Sequence, residues 1–131
     1  MRLFIEGSSH RPTVLFDLEK RFLRIDGMSS MPDSAQFYRD LLDWLIAHKD
    51  KIAPDTPLTF RLLYLNSGTH KALLHFFSKI AEASLPVRVV FLRATRFDNS
   101  EEVELLLQMC KQVGLPCMTQ DEVEAYDPPS S

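Results

Sequence analysis

The chain has 131 residues, 45% hydrophobic and 25% charged, with a formal net charge of −3, so it fits one soluble globular domain without the basic surface that nucleic acid demands. No apolar run approaches the roughly 20 residues of a membrane helix, and Met1 to Gly7 is too short and too soon interrupted for a signal peptide. Cys110 and Cys117 suit a reducing compartment better than a disulfide framework, so the expectation is a cytoplasmic domain over residues 1–126 and a frayed tail over 127–131.

After the breaker at Pro12, Thr13 to Asp17 is β-branched and aromatic and reads as a first strand. Leu18 to Arg21 is its turn, and Phe22 to Gly27 alternates as a hairpin partner. Gly27 to Met31 reads as a loop in which Ser29 and Ser30 supply polarity. Asp33 and Gln36 have the spacing of a capping box. Phe37, Tyr38, Leu41, Leu42, Trp44 and Leu45 then lay an apolar face on a helix ending near His48. Lys49 to Pro57 reads as a solvated connection.

Leu58 to Leu65 is a near-continuous apolar run, the pattern of a buried strand. It leads into a polar elbow, Asn66-Ser67-Gly68-Thr69, followed by His70 and Lys71. Ala72, Leu73, Phe76, Phe77 and Ile80 then form one stripe of a helix that stops at Leu85-Pro86. Val87 to Ala94 is another strand, and Asn99 or Ser100 caps the next helix, whose first turn carries Glu101, Glu102 and Glu104. Gly114 stops that helix, and Leu115 to Thr119 is a short last strand. Hairpin, helix, strand, helix, strand, helix and strand imply an α/β fold: a mixed sheet, largely parallel after the hairpin, with three helices packed on it.

Most recognisable chemistry is absent. Gly7, Gly27, Gly68 and Gly114 are spaced for neither a dinucleotide fingerprint nor a P-loop. Of the four histidines, His10, His48, His70 and His75, the last two are five apart and point to different helix faces, unlike a helical metal pair. Cys110 and Cys117 read as packing, Tyr38, Trp44, Phe76 and Phe77 as core, and Arg88, Arg93 and Arg96 as solvated charge. No cofactor or metal is expected, and an enzyme is the weaker class. The elbow offers two hydroxyls, Ser67 and Thr69, at a helix N-terminus, where free N–H groups and the dipole favour an anion. By spacing alone, either serves as the helix cap or as a modified group.

Leu-Tyr-Leu-Asn-Ser-Gly-Thr-His-Lys-Ala (63–72) resembles the signature of the SiaC family of bacterial regulators, in which a Thr follows the Asn. Pro12 to Asp17, Leu23-x-Ile25-x-Gly27-x-Ser29, and Pro32-Asp33-Ser34 with Phe37-Tyr38 are similar to further motifs of that family in the same order. The resemblance spans roughly residues 11–80. It implies a STAS-like fold and a non-enzymatic partner switch. In that scheme a histidine-kinase-like serine/threonine kinase phosphorylates the elbow, a PP2C-type phosphatase reverses it, and the unphosphorylated form activates a diguanylate cyclase. The family's acceptor falls on Ser67. Because Gly68 stands where the family has Ser, Thr69 is the alternate acceptor, with Asn66, Gly68, His70 and Lys71 completing the partner-binding elbow. An anti-sigma-factor antagonist or a constitutive adaptor of the same fold is the alternative.

Overall fold

Strands β1 (Arg2–Ile5), β2 (Thr13–Asp17) and β3 (Phe22–Ser29) form an antiparallel meander, because each pair is joined by a connection short enough to reverse the chain. The structure is a computed structural model and describes residues 1–122. From β3 onward strands and helices alternate: α1 (Ser34–Ala47), β4 (Thr56–Leu65), α2 (Ser67–Ala83), β5 (Val87–Arg93), α3 (Ser100–Val113) and β6 (Cys117–Asp121). The sheet order is β1-β2-β3-β4-β5-β6, and the last three pairings are parallel. Stepping one strand at a time by crossovers of one hand stacks the helices on a single face, where α1 packs on α2 and α2 on α3. The expected mixed α/β sheet with three helices is therefore present. The expected domain limit at 126 and the tail over 127–131 lie outside the described residues.

The last strand, expected over Leu115 to Thr119, lies two residues later at Cys117–Asp121, and three further differences from the sequence reading each have a physical reason. β1 was not anticipated: it is a four-residue edge strand whose residues are at best half-buried, too short and too exposed to show a pattern. β4 begins at Thr56 and so includes Pro57, which was assigned to the solvated connection. Thr56 N–H donates toward β5, to the Pro86 carbonyl at 3.3 Å, so the next nitrogen faces β3, whose pairing begins only at Leu58. The proline thus removes no ladder bond. β3 runs on to Ser29, which is fully buried rather than loop polarity.

The core lies between sheet and helices. Phe60 at the middle of β4 packs edge-on against Phe76 and Phe77 of α2, with centroids 6.1 and 5.4 Å away, and tilts against Phe91 of β5 at 5.8 Å. Such pairs add about 0.5–1.5 kcal/mol each beyond the area they bury. Tyr38 is in the core as expected, while Trp44 is half-buried against Phe16. The face away from the helices mixes charge pairs with apolar residues, of which Val90 and Leu92 of β5 are buried. There Arg24 pairs with Asp26 at 2.9 Å, and Arg61 reaches Asp26 at 3.1 Å and Glu122 at 2.7 Å. Among the described residues no helix is long and apolar enough to cross a membrane.

A β-bulge aims the end of the central strand. Gly27 takes φ +126°, a conformation that costs other residues strain, and the β3–β4 register shifts between Gly27 and Met28. Opposite it, Leu63 is half-buried and Tyr64 exposed in succession before Leu65 turns back into the core. The alternation slips by one residue, and the chain leaves β4 over the end of β3.

Candidate functional site

Asn66 is the hinge between β4 and α2. Its backbone is extended, with φ −91° and ψ 178°, and its side-chain oxygen accepts from the Thr69 N–H at 2.8 Å. Asn66 is therefore the helix cap, and neither Ser67 nor Thr69 fills that place. Its own N–H donates to the Ser29 carbonyl at 3.1 Å, tying the elbow to the end of β3.

The two elbow hydroxyls have opposite surroundings. Thr69 is fully buried in a knot with Ser29 and Tyr38. Ser29 Oγ stands 2.8 Å from both the Tyr38 hydroxyl and Thr69 Oγ1, and Thr69 Oγ1 donates to the Ser29 carbonyl at 2.9 Å. Since Thr69 spends its proton on that carbonyl, Ser29 must donate to Thr69 and Tyr38 to Ser29. One proton order satisfies all three groups, as burial requires. Burial also pushes the Tyr38 phenol well above its usual range, opposed by the Ser29 hydrogen bond, so it stays a neutral donor. Ser67, at the first helical position, is exposed, and its hydroxyl makes no hydrogen bond among the described residues. The adjacent Ser67 and Gly68 N–H groups precede the first one that Asn66 satisfies.

Gly68 sits where α2 comes close to α1. A Cβ there would stand 2.9 Å from Ser34 Oγ, so any side chain forces the Ser34 hydroxyl to turn or the two helices to adjust. Beside that contact a groove of about 350 Å³ runs between α1 and α2. Its buried lining is Tyr38, Leu42, Ala72 and Phe76, and its exposed rim carries Arg39, Lys71 and His75. On the other side of Ser67, His70 and Leu105 line a smaller open depression of about 290 Å³ with Leu65 and Asn66. Ser67 thus lines this second depression, while its neighbour Gly68 lines the groove.

Other expected features fall differently. Asp33 makes no side-chain cap bond, and Gln36 donates instead to Asp40 at 2.7 Å, so no capping box forms at α1. Asn99 occupies the cap position of α3 but turns its amide inward, donating to the Leu62 and Leu92 carbonyls at 2.9 and 3.0 Å. It accepts from the Ala94 N–H at 2.9 Å, and so staples β4 to β5 past Phe60 and Phe91, where their ladder ends. Cys110 is buried, and burial raises its thiol pKa, a feature of packing rather than reactivity. Among the described residues no group of three or more His, Cys, Asp or Glu side chains is placed to hold a metal ion. An enzyme site would want polar groups converging between Asn66 and Phe97; the depression at Asn66 does not reach Phe97. Spacing missed the knot and the groove, since each joins residues from separate elements. The one local hint was Ser29, a serine at the end of an alternating strand.

Comparison with known proteins places this geometry. "SiaC of Pseudomonas aeruginosa" superposes with a TM-score of 0.75 at 23% identity, covering 93% of this chain and 99% of that one. A structure described as the diguanylate cyclase SiaD in complex with its activator SiaC, also from Pseudomonas aeruginosa, contains a chain that matches at 0.75 and 24% identity, covering 92% and 99%. At this identity these likenesses establish the fold. A protein of Pseudomonas aeruginosa (strain UCBPP-PA14), described as "Uncharacterized protein PA14_02130", is 25% identical over 125 residues, 95% of this chain and 97% of its own length. The family model for the SiaC family regulatory phosphoproteins matches residues 5–112, extending the likeness read from residues 11–80 through α2, β5 and nearly all of α3. With the model spanning most of the chain and the fold agreeing throughout, the chain belongs to the SiaC family of regulatory phosphoproteins.

Proposed function

We propose that this protein is a phosphorylation-controlled partner switch whose unphosphorylated form binds and activates a diguanylate cyclase, with Ser67 as the acceptor. The observation that carries the assignment is the contrast within the elbow: Ser67 is exposed, with no hydrogen bond to its hydroxyl among the described residues, whereas Thr69 is buried with its proton committed. A kinase that took Thr69 would have to open the Ser29–Tyr38–Thr69 knot first. The cyclase as effector is supported by the similar SiaC chain found in complex with SiaD. A serine/threonine kinase and a PP2C-type phosphatase complete the cycle.

The physical logic is a charge reversal on a fold that tolerates it. A phosphoryl group adds about −1.5 to −2 charges and three acceptor oxygens. On Ser67 it would lie beside the free N–H groups and positive dipole end of α2, so the domain stays folded. A partner docked over the elbow would instead meet a dianion, and each 1.4 kcal/mol of that penalty is about tenfold in affinity. The test is cyclase activation by purified wild type, Ser67→Ala and Ser67→Asp, with thermal unfolding as control. Wild type and Ser67→Ala should activate equally, and Ser67→Asp should fail while remaining folded. Equal activation by all three would assign the constitutive adaptor instead.

A further inference from the structure

The groove between α1 and α2 has the chemistry of a docking slot. Its length follows from α1, where residues 34–42 line it, about 12 Å at 1.5 Å per residue, or two turns of a facing helix. Its apolar lining offers a seat for one or two aliphatic or aromatic side chains. Arg39 rises from one wall and Lys71 and His75 from the other, one helical turn apart. None of the three is in an ion pair among the described residues, and no carboxylate lines the groove. In a chain of net charge −3, such a one-signed rim is a local departure with a direction: it favours an acidic occupant.

We propose that this groove receives an amphipathic helical segment of the effector, one that seats apolar side chains on Tyr38, Leu42, Ala72 and Phe76 and sets carboxylates against Arg39 and Lys71. The inference rests on the partner-switch reading above and adds where the partner sits and why phosphate releases it. Ser67, Lys71 and His75 follow one another at four-residue steps along one ridge of α2. A phosphoryl group on Ser67 would lie one turn from Lys71, take up its ammonium as an (i, i+4) partner, and present a dianion at the groove mouth. An acidic segment would then lose one of its anchors and meet repulsion in its place. Helix-in-groove recognition with charge-set specificity is a general mode, and here both the apolar seat and the charges belong to the same two helices.

The experiment measures binding of the purified diguanylate cyclases of the source organism to wild type, Arg39→Glu, His75→Glu and the remote control Lys111→Glu, each checked by thermal unfolding. Overlapping 20-residue peptides tiled across the binding cyclase are then titrated in the same way. The expected result is a loss of at least tenfold for Arg39→Glu and for His75→Glu, with Lys111→Glu within twofold of wild type. The peptide that binds should carry several carboxylates around an apolar face and lose affinity as salt is raised. If either glutamate variant fails to fold, Arg39→Gln replaces it, with a loss of at least threefold expected. Release by Ser67→Asp together with groove variants that bind like wild type would overturn the groove while leaving the switch intact. A wild-type protein that binds no cyclase would overturn both. A concentration-dependent dimer dissociated by Arg39→Glu would assign the groove to a second copy of this chain and overturn the proposal.

Discussion

Beneath the elbow and above it, the same few residues of chain meet opposite requirements. Thr69 lies under the first turn of α2, joined to β3 and α1 through Ser29 and Tyr38, with every proton placed. Ser67, two residues earlier, stands in water with nothing bonded to its hydroxyl among the described residues. A switch needs both: a site free enough to be modified, and a support stiff enough that modification alters the surface and not the fold. The difference is made by helical geometry, since a two-residue step turns a side chain by about 200° around the helix axis, from solvent to core.

Substitutions can break that contrast in graded steps. The largest effect is expected below the elbow. Thr69→Val leaves the Ser29 hydroxyl without its acceptor in a buried site and should cost about 1–3 kcal/mol in denaturant unfolding. Ser67→Ala should remain within about 0.5 kcal/mol of wild type. Equal costs at the two positions would erase the contrast. Next comes the hinge: Asn66→Ala removes the cap on the Thr69 N–H and should destabilise by about 1 kcal/mol, read as a lower midpoint at unchanged slope.

A similar coupling is expected where α2 meets α1. Gly68→Ala should lower stability through its contact with Ser34 Oγ, and adding Ser34→Ala should recover about 1 kcal/mol in a double-mutant cycle. Additive effects would mean that the helices are not held close by the missing side chain. The smallest effect belongs to the face of the sheet away from the helices. The Thr95 N–H holds the Glu122 carboxyl below its ordinary value, with Arg61 adding to this and desolvation opposing it. A depressed carboxylate contributes stability above its unfolded value and loses it as pH falls through the folded one. Stability should therefore decline on acidification through the carboxylate range, and Glu122→Gln should flatten that decline by a few tenths of a kcal/mol, as befits a partly solvated pair.

How much of this was legible beforehand follows the range of each interaction. The strand, elbow and second helix show in the sequence because apolar runs and a 3.6-residue stripe are local patterns, and the later alternation of strands and helices fixes a parallel sheet by topology. The cap was narrowed to the wrong residues because three polar side chains within four residues are each good caps and only the backbone angles decide among them. Ser29 looked like loop polarity because its partner Thr69 is 40 residues away, and no short-range pattern encodes that meeting. β1 carries too few buried side chains to announce itself. The groove needed Arg39 and Lys71 to be brought together by helix packing, which periodicity can suggest for each helix but not for the pair.

We propose the exposed Ser67 hydroxyl, not the buried one, as the switch. Peptide mass spectrometry on the protein purified from its own cells, with the cognate phosphatase deleted and several growth states sampled, tests it most directly. The expected result is a phosphate on Ser67 with Thr69 unmodified in the same peptide. Phosphate on Thr69 alone, or none in any growth state, would contradict it.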